Sequence, residues 1–227
     1  MVFAALIQLI TNPTDHDVVV ELLLNMADNS QAYDGNLSFN IHYLPTNVGA
    51  FYVLNTWQTQ LDMDNYLADL IDGQTSEQLL SYLVAEPTIS RSQMLSRPVT
   101  AVVNDDNQHQ HQHHYQQQLT HNRRDNDQQV TLIPFFYIIP TAEDIEQVKR
   151  AHLSVINSTR NEPGCLTYDL YQLLDEPAIM FFYENWSSAA VLNVHMNTSN
   201  FYRVVRQQVD PYLLVPWTAL SMTIVKN

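Results

Sequence analysis

Glycine is scarce in this chain. Its 227 residues include four glycines, one cysteine and, by inspection, two lysines. Each shortage excludes something. Four scattered glycines cannot build the Gly-rich loop that cradles a dinucleotide or a nucleoside triphosphate. Cys165 alone cannot form an intrachain disulfide, which suits a reducing compartment. Ten basic side chains against 24 acidic ones leave a formal net charge of −14. Such a chain repels phosphate backbones and anionic bilayers, so neither nucleic acid nor membrane is an expected partner. No apolar run approaches the ~20 residues needed to span a bilayer. The opening Met1-Val-Phe-Ala-Ala-Leu-Ile has no basic segment and no small-residue cleavage site, so it reads as a first strand rather than a secretion signal. The expected location is cytoplasmic.

What is present is a repeat. Residues 131–227 resemble residues 2–98 displaced by a constant 129 positions, with no gap. Gly35 falls on Gly164, Leu37 on Leu166, Phe39 on Tyr168, Trp57 on Trp186, Pro87 on Pro216 and Ser92 on Ser221. A repeat of this length is two whole domains, 1–97 and 131–227, and not a solenoid unit. The copies differ at polar positions: the second holds Glu184 and His195 where the first holds Asn55 and Tyr66. The first copy therefore reads as the degenerate one. Between them, 98–130 is rich in Gln, His and Asn and is expected to be a flexible linker. Its His109, His111, His113 and His114 bind metal opportunistically at most, because a floppy tract does not preorganise ligands.

Each copy reads strand, helix, strand, strand, helix, strand. In the second, Thr131–Ile139 is the first strand, and Thr141 caps a helix whose Ile145, Val148, His152, Val155 and Ile156 share a face. Asn161-Glu-Pro-Gly164 ends that helix. Leu166–Leu173 and Ile179–Trp186 are the central strands, Ser187 or Ser188 caps a helix running through His195, a further helical stretch covers 199–209, and Trp217–Val225 closes the copy. In the first copy Asn12 caps a helix with Pro13 at its first position. Leu37–Leu44, Ala50–Trp57, a helical Asp64–Leu83 and a final strand Ile89–Leu95 follow. The pattern predicts an α+β class of tandem ferredoxin-like domains. Each sheet would have one bare face, which the other sheet would cover.

The segment Glu162-Pro-Gly-Cys-Leu-Thr-Tyr168, then Phe182-Tyr-Glu-Asn-Trp186 and a histidine nine residues on, resembles the antibiotic biosynthesis monooxygenase family. That resemblance implies a dimeric α+β barrel, formed here within one chain. It also implies cofactor-independent oxygenation of a small aromatic, quinol-like or polyketide-like substrate by molecular oxygen, with no metal or flavin. The family also holds haem-degrading and non-catalytic members. The pocket would lie in the second domain. His195 would take a phenolic proton as base, or simply fix its helix to the sheet. Glu184 would act as base or hydrogen-bond partner of the substrate with a raised pKa, or bond a backbone amide or His195. Trp186, Phe182 and Tyr168 would line the pocket, with core packing as the competing duty. Trp57, persisting where the polar partners are gone, favours packing for both tryptophans. Cys165 has no basic neighbour in sequence and is expected to be inert.

The rival to an oxygenase is a non-enzymatic binding or assembly module on the same barrel, and a homodimer of the whole chain is compatible with either. Replacing 104–129 by a Gly/Ser linker of equal length is expected to leave the melting temperature unchanged. A large drop would show that the tract is an ordered element.

Overall fold

The computed structural model describes residues 1–72, 74–96, 129–198 and 206–225. Residues 98–128 of the expected linker, its histidines and most of the helical stretch predicted over 199–209 lie outside these residues. The first copy contains β1 (Phe3–Ile10), α1 (His16–Ser30), β2 (Asn36–Leu44), β3 (Asn47–Trp57), α2 (Gln60–Asp72), α3 (Gln74–Leu80) and β4 (Thr88–Met94). The second contains β5 (Val130–Tyr137), α4 (Ala142–Arg160), β6 (Cys165–Leu173), β7 (Ile179–Trp186), α5 (Ala189–Thr198) and β8 (Thr218–Ile224). Apart from the stretch over 199–209, the predicted elements are found, with shifted ends. β5 starts at Val130, inside the expected linker, and the helix of the first copy begins only after a 3-10 turn at Pro13–Asp15, where Asn12 makes no side-chain cap. Thr141 does cap α4, its hydroxyl accepting from the Asp144 amide at 3.1 Å.

The eight strands close into one barrel in the order β1-β3-β2-β8-β5-β7-β6-β4. Each copy supplies four consecutive strands, so the barrel has two seams between copies. At one, His42 and Tyr43 of β2 pair with Ile224 and Thr223 of β8. At the other, Ser92, Gln93 and Met94 of β4 pair with Leu173, Gln172 and Tyr171 of β6. This is the intramolecular dimeric α+β barrel. Closure removes the open edges that four-stranded sheets would otherwise present.

Side chains alternate across each strand, so the sheet has an inner and an outer face. The inner residues of both copies meet in a single core: Ala4, Leu6, Tyr52 and Leu54 from the first, Ile133, Tyr171, Phe181, Tyr183 and Met222 from the second. Within the barrel, the Tyr183 hydroxyl lies 3.2 Å from Nε2 of the buried His42, a polar link between copies. The outer residues pack under the helices in two clusters, one per copy, with Leu174 and Val225 of the second copy reaching the first cluster and Leu95 of the first reaching the second. α1 and α4 bury equivalent rows, Val19, Leu22, Leu23, Met26 and Ala27 against Val148, Ala151, His152, Val155 and Ile156.

The repeat is not gapless. The offset of 129 holds for these helices and for the second and third strands. Phe3 pairs with Trp57, however, whereas Val130 pairs with Trp186. The first strands are thus related by 127 positions, and the second copy has two extra residues before its helix. At the last strand Ala4 pairs with Ser92 and Thr131 with Met222, so Ser92 corresponds to Met222 and not to Ser221. Both length changes fall in connections, where they cost least.

Gly35 and Gly164 do sit at equivalent turns, with φ of 75° and 81°. Their carbonyls accept from Gln58 and Ser187 amides at 2.8 and 2.9 Å, which pins each turn against the end of the third strand.

Residues 131–227 expressed alone are expected to self-associate, because the second copy by itself exposes two strand edges and one face of the inner core. Analytical ultracentrifugation checks this. A monomer that melts with the full chain would contradict dependence between the copies.

Candidate functional site

The outer face of the second sheet carries Tyr168 on β6 and Phe182, Glu184 and Trp186 on β7, and α5 lays His195 against them. The five residues singled out in the sequence come together here. Tyr168 and Phe182 have ring centroids 4.5 Å apart, Tyr168 and His195 5.8 Å, and Trp186 and His195 4.5 Å with planes 33° apart. All are buried; Glu184 and His195 are each 1% exposed. Ser188 starts α5, its hydroxyl accepting from the Val191 amide at 3.3 Å.

His195 is not bonded to Glu184. Its Nδ1 lies 2.8 Å from Oε2 of Glu162, in the turn that leads into Gly164. Sequence reasoning missed this partner. Glu162 is 33 residues away, and only the fold shows that the turn abuts α5: a Cβ on Gly164 would meet Ser187 Oγ at 2.5 Å and Val191 Cγ1 at 2.8 Å. Val191 stands one helical turn before His195 on the same face. A carboxylate accepting from Nδ1–H would place the imidazole lone pair on Nε2. Burial pulls the His195 pKa down, and the Glu162 hydrogen bond pulls it back up. The ring is therefore neutral at pH 7 and able to accept a proton.

Glu184 bonds neither a backbone amide nor His195. Its Oε2 accepts from the indole Nε1 of Trp186 at 3.0 Å. The first copy repeats the device, with Trp57 Nε1 donating to Asn55 Oδ1 at 2.8 Å. The polar partner of Trp57 was exchanged, not lost. Tyr66 then packs on Trp57 at 4.9 Å with planes 30° apart, nearly the geometry of His195 on Trp186. Asn55 satisfies the indole without charge. Glu184 does so at a cost in burial, which lifts its pKa to about 8 against the opposing Trp186 hydrogen bond, with Glu162 pushing it further up. At neutral pH Glu184 is mostly a neutral acid, so its proton gives it one O–H to donate.

Cys165 is unreactive here, as burial pushes its thiol up to about 12. The first copy has an open cleft of about 470 Å³ lined by Ala32, Tyr33, Asp34, Asp62, Asn65, Ala68 and Asp69. Its carboxylates make it a different environment from the aromatic cluster of the second copy. Among the described residues no group of His, Cys, Asp and Glu is arranged to hold a metal ion, and no helix is long and apolar enough to cross a membrane.

A closed barrel of two ferredoxin-like halves is the architecture of the dimeric α+β barrel proteins. Residues 132–207 match the antibiotic biosynthesis monooxygenase family, so the likeness to that family lies in the second copy. An antibiotic biosynthesis monooxygenase of known structure is 30% identical, over 43% of this chain and 99% of its own, with a TM-score of 0.40. A candidate monooxygenase from Fusobacterium nucleatum covers 99% of this chain and 93% of its own at a TM-score of 0.72 and 9% identity, a likeness of fold. An uncharacterized protein of Synechocystis is 34% identical over 55 residues, which span 24% of this chain and 37% of that relative.

The buried ionisable groups set opposite limbs of a stability profile. Burial lowers His42 to about 4 and His152 to about 3. The unfolded chain, with ordinary histidines near 6.5, binds more protons than the folded one below that pH, so stability falls as pH drops from about 6.5 toward 4. Glu184 at about 8 works the other way: the folded chain holds a proton that the unfolded one releases above about 4.5, so stability falls as pH rises toward 8. The melting temperature is expected to peak near pH 6.5, and Glu184→Gln is expected to flatten the decline toward pH 8.5. An unchanged alkaline limb in that variant would show that Glu184 is ionised in the fold.

Proposed function

We propose that this protein is a monooxygenase that works without metal or flavin on a small aromatic, quinol-like or polyketide-like substrate, bound in the helix–sheet layer of the second copy. The observation that carries this reading is the His195–Glu162 pair, lying against Trp186 and Tyr168 in the copy that matches the family. Nε2 of a neutral His195 takes the phenolic or enolic proton. The resulting anion is electron-rich enough to reduce oxygen directly. One oxygen atom then enters the product as a carbonyl and the other leaves as water. All four electrons come from the substrate, so no external reductant is needed. Glu162 stabilises the imidazolium as it forms, and a protonated Glu184 donates a hydrogen bond to the substrate's oxygen. Trp186, Phe182 and Tyr168 present ring faces to a flat ligand.

The competing reading is a binding module without chemistry. It draws on the Trp–acceptor pair, present in both copies, which gives Glu184 and Trp186 a structural duty.

Oxygen uptake with a panel of quinols and anthrones in metal-free buffer separates the two. His195→Ala is expected to cut turnover about 100-fold or more with the fold intact. Glu162→Gln is expected to cut it by a smaller factor and shift the acid limb of the pH–rate profile. Tyr66→Phe, in the first copy, is expected to leave it unchanged. Equal losses from His195→Ala and Tyr66→Phe would mean a structural effect, and no uptake with any substrate would favour the binding module.

A further inference from the structure

The second copy contains a buried histidine that the proposed chemistry does not use. His152 lies on α4 with no solvent exposure. Its ring meets Phe136 edge-on at 4.5 Å and Phe182 edge-on at 5.0 Å. Among the described residues neither Nδ1 nor Nε2 has a hydrogen-bond partner. A buried imidazole with both nitrogens unbonded destabilises the fold, and such groups are rare in native interiors. Nothing in the packing calls for it. The equivalent residue of the first copy is Leu23, equally buried in the same layer. The contrast recurs on the same helix face two turns later. Thr159 Oγ1 is buried without a partner, whereas its counterpart Ser30 donates to the Ala27 carbonyl at 2.7 Å. Among the described residues, the buried face of α1 carries no unpartnered polar side chain, whereas that of α4 carries two.

The place of His152 is specific. Phe182, which it touches, packs on Tyr168, and Tyr168 reaches His195. His152 thus stands at the far end of one continuous row of rings from the His195–Glu162 pair. We propose that His152 is a ligand-anchoring residue, whose ring nitrogen hydrogen-bonds a hydroxyl or keto oxygen of an uncharged aromatic molecule bound in this layer. The inference rests on the placement of the pocket proposed above, but not on any reaction there. The chemistry of the contact selects the ligand. A neutral imidazole offers one donor and one acceptor and suits a phenol or a ketone. The phenylalanines around it exclude a carboxylate or an ammonium, whose charge would have no counterion. His152 would then set the orientation of the ring system, leaving proton transfer to His195 at the other end.

The test uses the full chain and two probes of one shape, 1-naphthol and naphthalene, with binding followed by intrinsic fluorescence. Wild type is expected to bind the naphthol about tenfold more tightly, the value of one hydrogen bond in an apolar site. His152→Leu, which copies the first domain, is expected to erase that preference, keep naphthalene binding and raise the melting temperature of the free protein. His152→Met serves if the leucine variant misfolds. A preference that survives either variant overturns the proposal. So does a lowered melting temperature in both, which would make the imidazole structural, and so does failure of wild type to bind either probe. Failure of the oxygenase reading is distinguishable: a chain that binds naphthol through His152 but consumes no oxygen keeps this inference and loses that one.

Discussion

Closure of the barrel is the constraint on which everything else depends. Four-stranded sheets have two edges and two faces, and helices cover only one face. Each copy leaves its inner face and its edges to the other. The two seams are short, two registered pairs between β2 and β8 and three between β4 and β6. They are reinforced unevenly. At the β4–β6 seam, Leu95 and Leu174 amides reach the opposite copy at 2.8 and 2.9 Å, and Ser96 donates to Asp169. Arg91 there forks onto Asp175, an exposed pair that adds little in water. The apolar inner core is the larger contribution, since burial of carbon surface scales with area and is not screened by salt. Strand pairing fixes which residues meet; the core makes the meeting favourable.

With the inner faces shared, the outer layers form two distinct clusters that meet the other copy only through a few seam residues. The same scaffold therefore carries two chemically different layers. In the first, Trp57 is satisfied by Asn55 and covered by Tyr66, and α1 contributes only leucine, methionine, valine and alanine beside a satisfied serine. In the second, the same positions hold an acid with a raised pKa, a histidine tied to a carboxylate and a second histidine that has no hydrogen bond among the described residues. The backbone is the same to within two changes of loop length. The difference lies in the side chains: the second layer buries ionisable groups where the first buries neutral ones.

Much of this was legible in the sequence, for physical reasons. The repeat survives because the tryptophan and the positive-φ glycine have few substitutes: only an indole fills that volume while donating one bond, and only glycine turns at φ near 80° so close to a neighbouring helix. Alternation on β7 put Phe182, Glu184 and Trp186 on one face, and helical spacing after Ser188 brought His195 over them. What was not legible needed three dimensions. Glu162 is 33 residues from His195, and no local pattern pairs them. The shift from 129 to 127 at the first strand is invisible in an apolar run, where any register matches equally well; backbone pairing alone reveals it. His152 fits its helical face so well as a core position that periodicity counted it as packing. Only its surroundings in the fold show that, among the described residues, the imidazole has no hydrogen-bond partner.

Fusing the copies changes the arithmetic of variation. In a symmetric pair of identical subunits every substitution appears twice, and a costly one is felt in both halves. Here the joined halves are separate addresses. An unbonded histidine at 152 destabilises one helix layer while Leu23 keeps the other tight, and the closed barrel shares that margin between them. A single chain with two unlike layers can thus tolerate a locally unfavourable side chain that two identical chains would have to bear in duplicate.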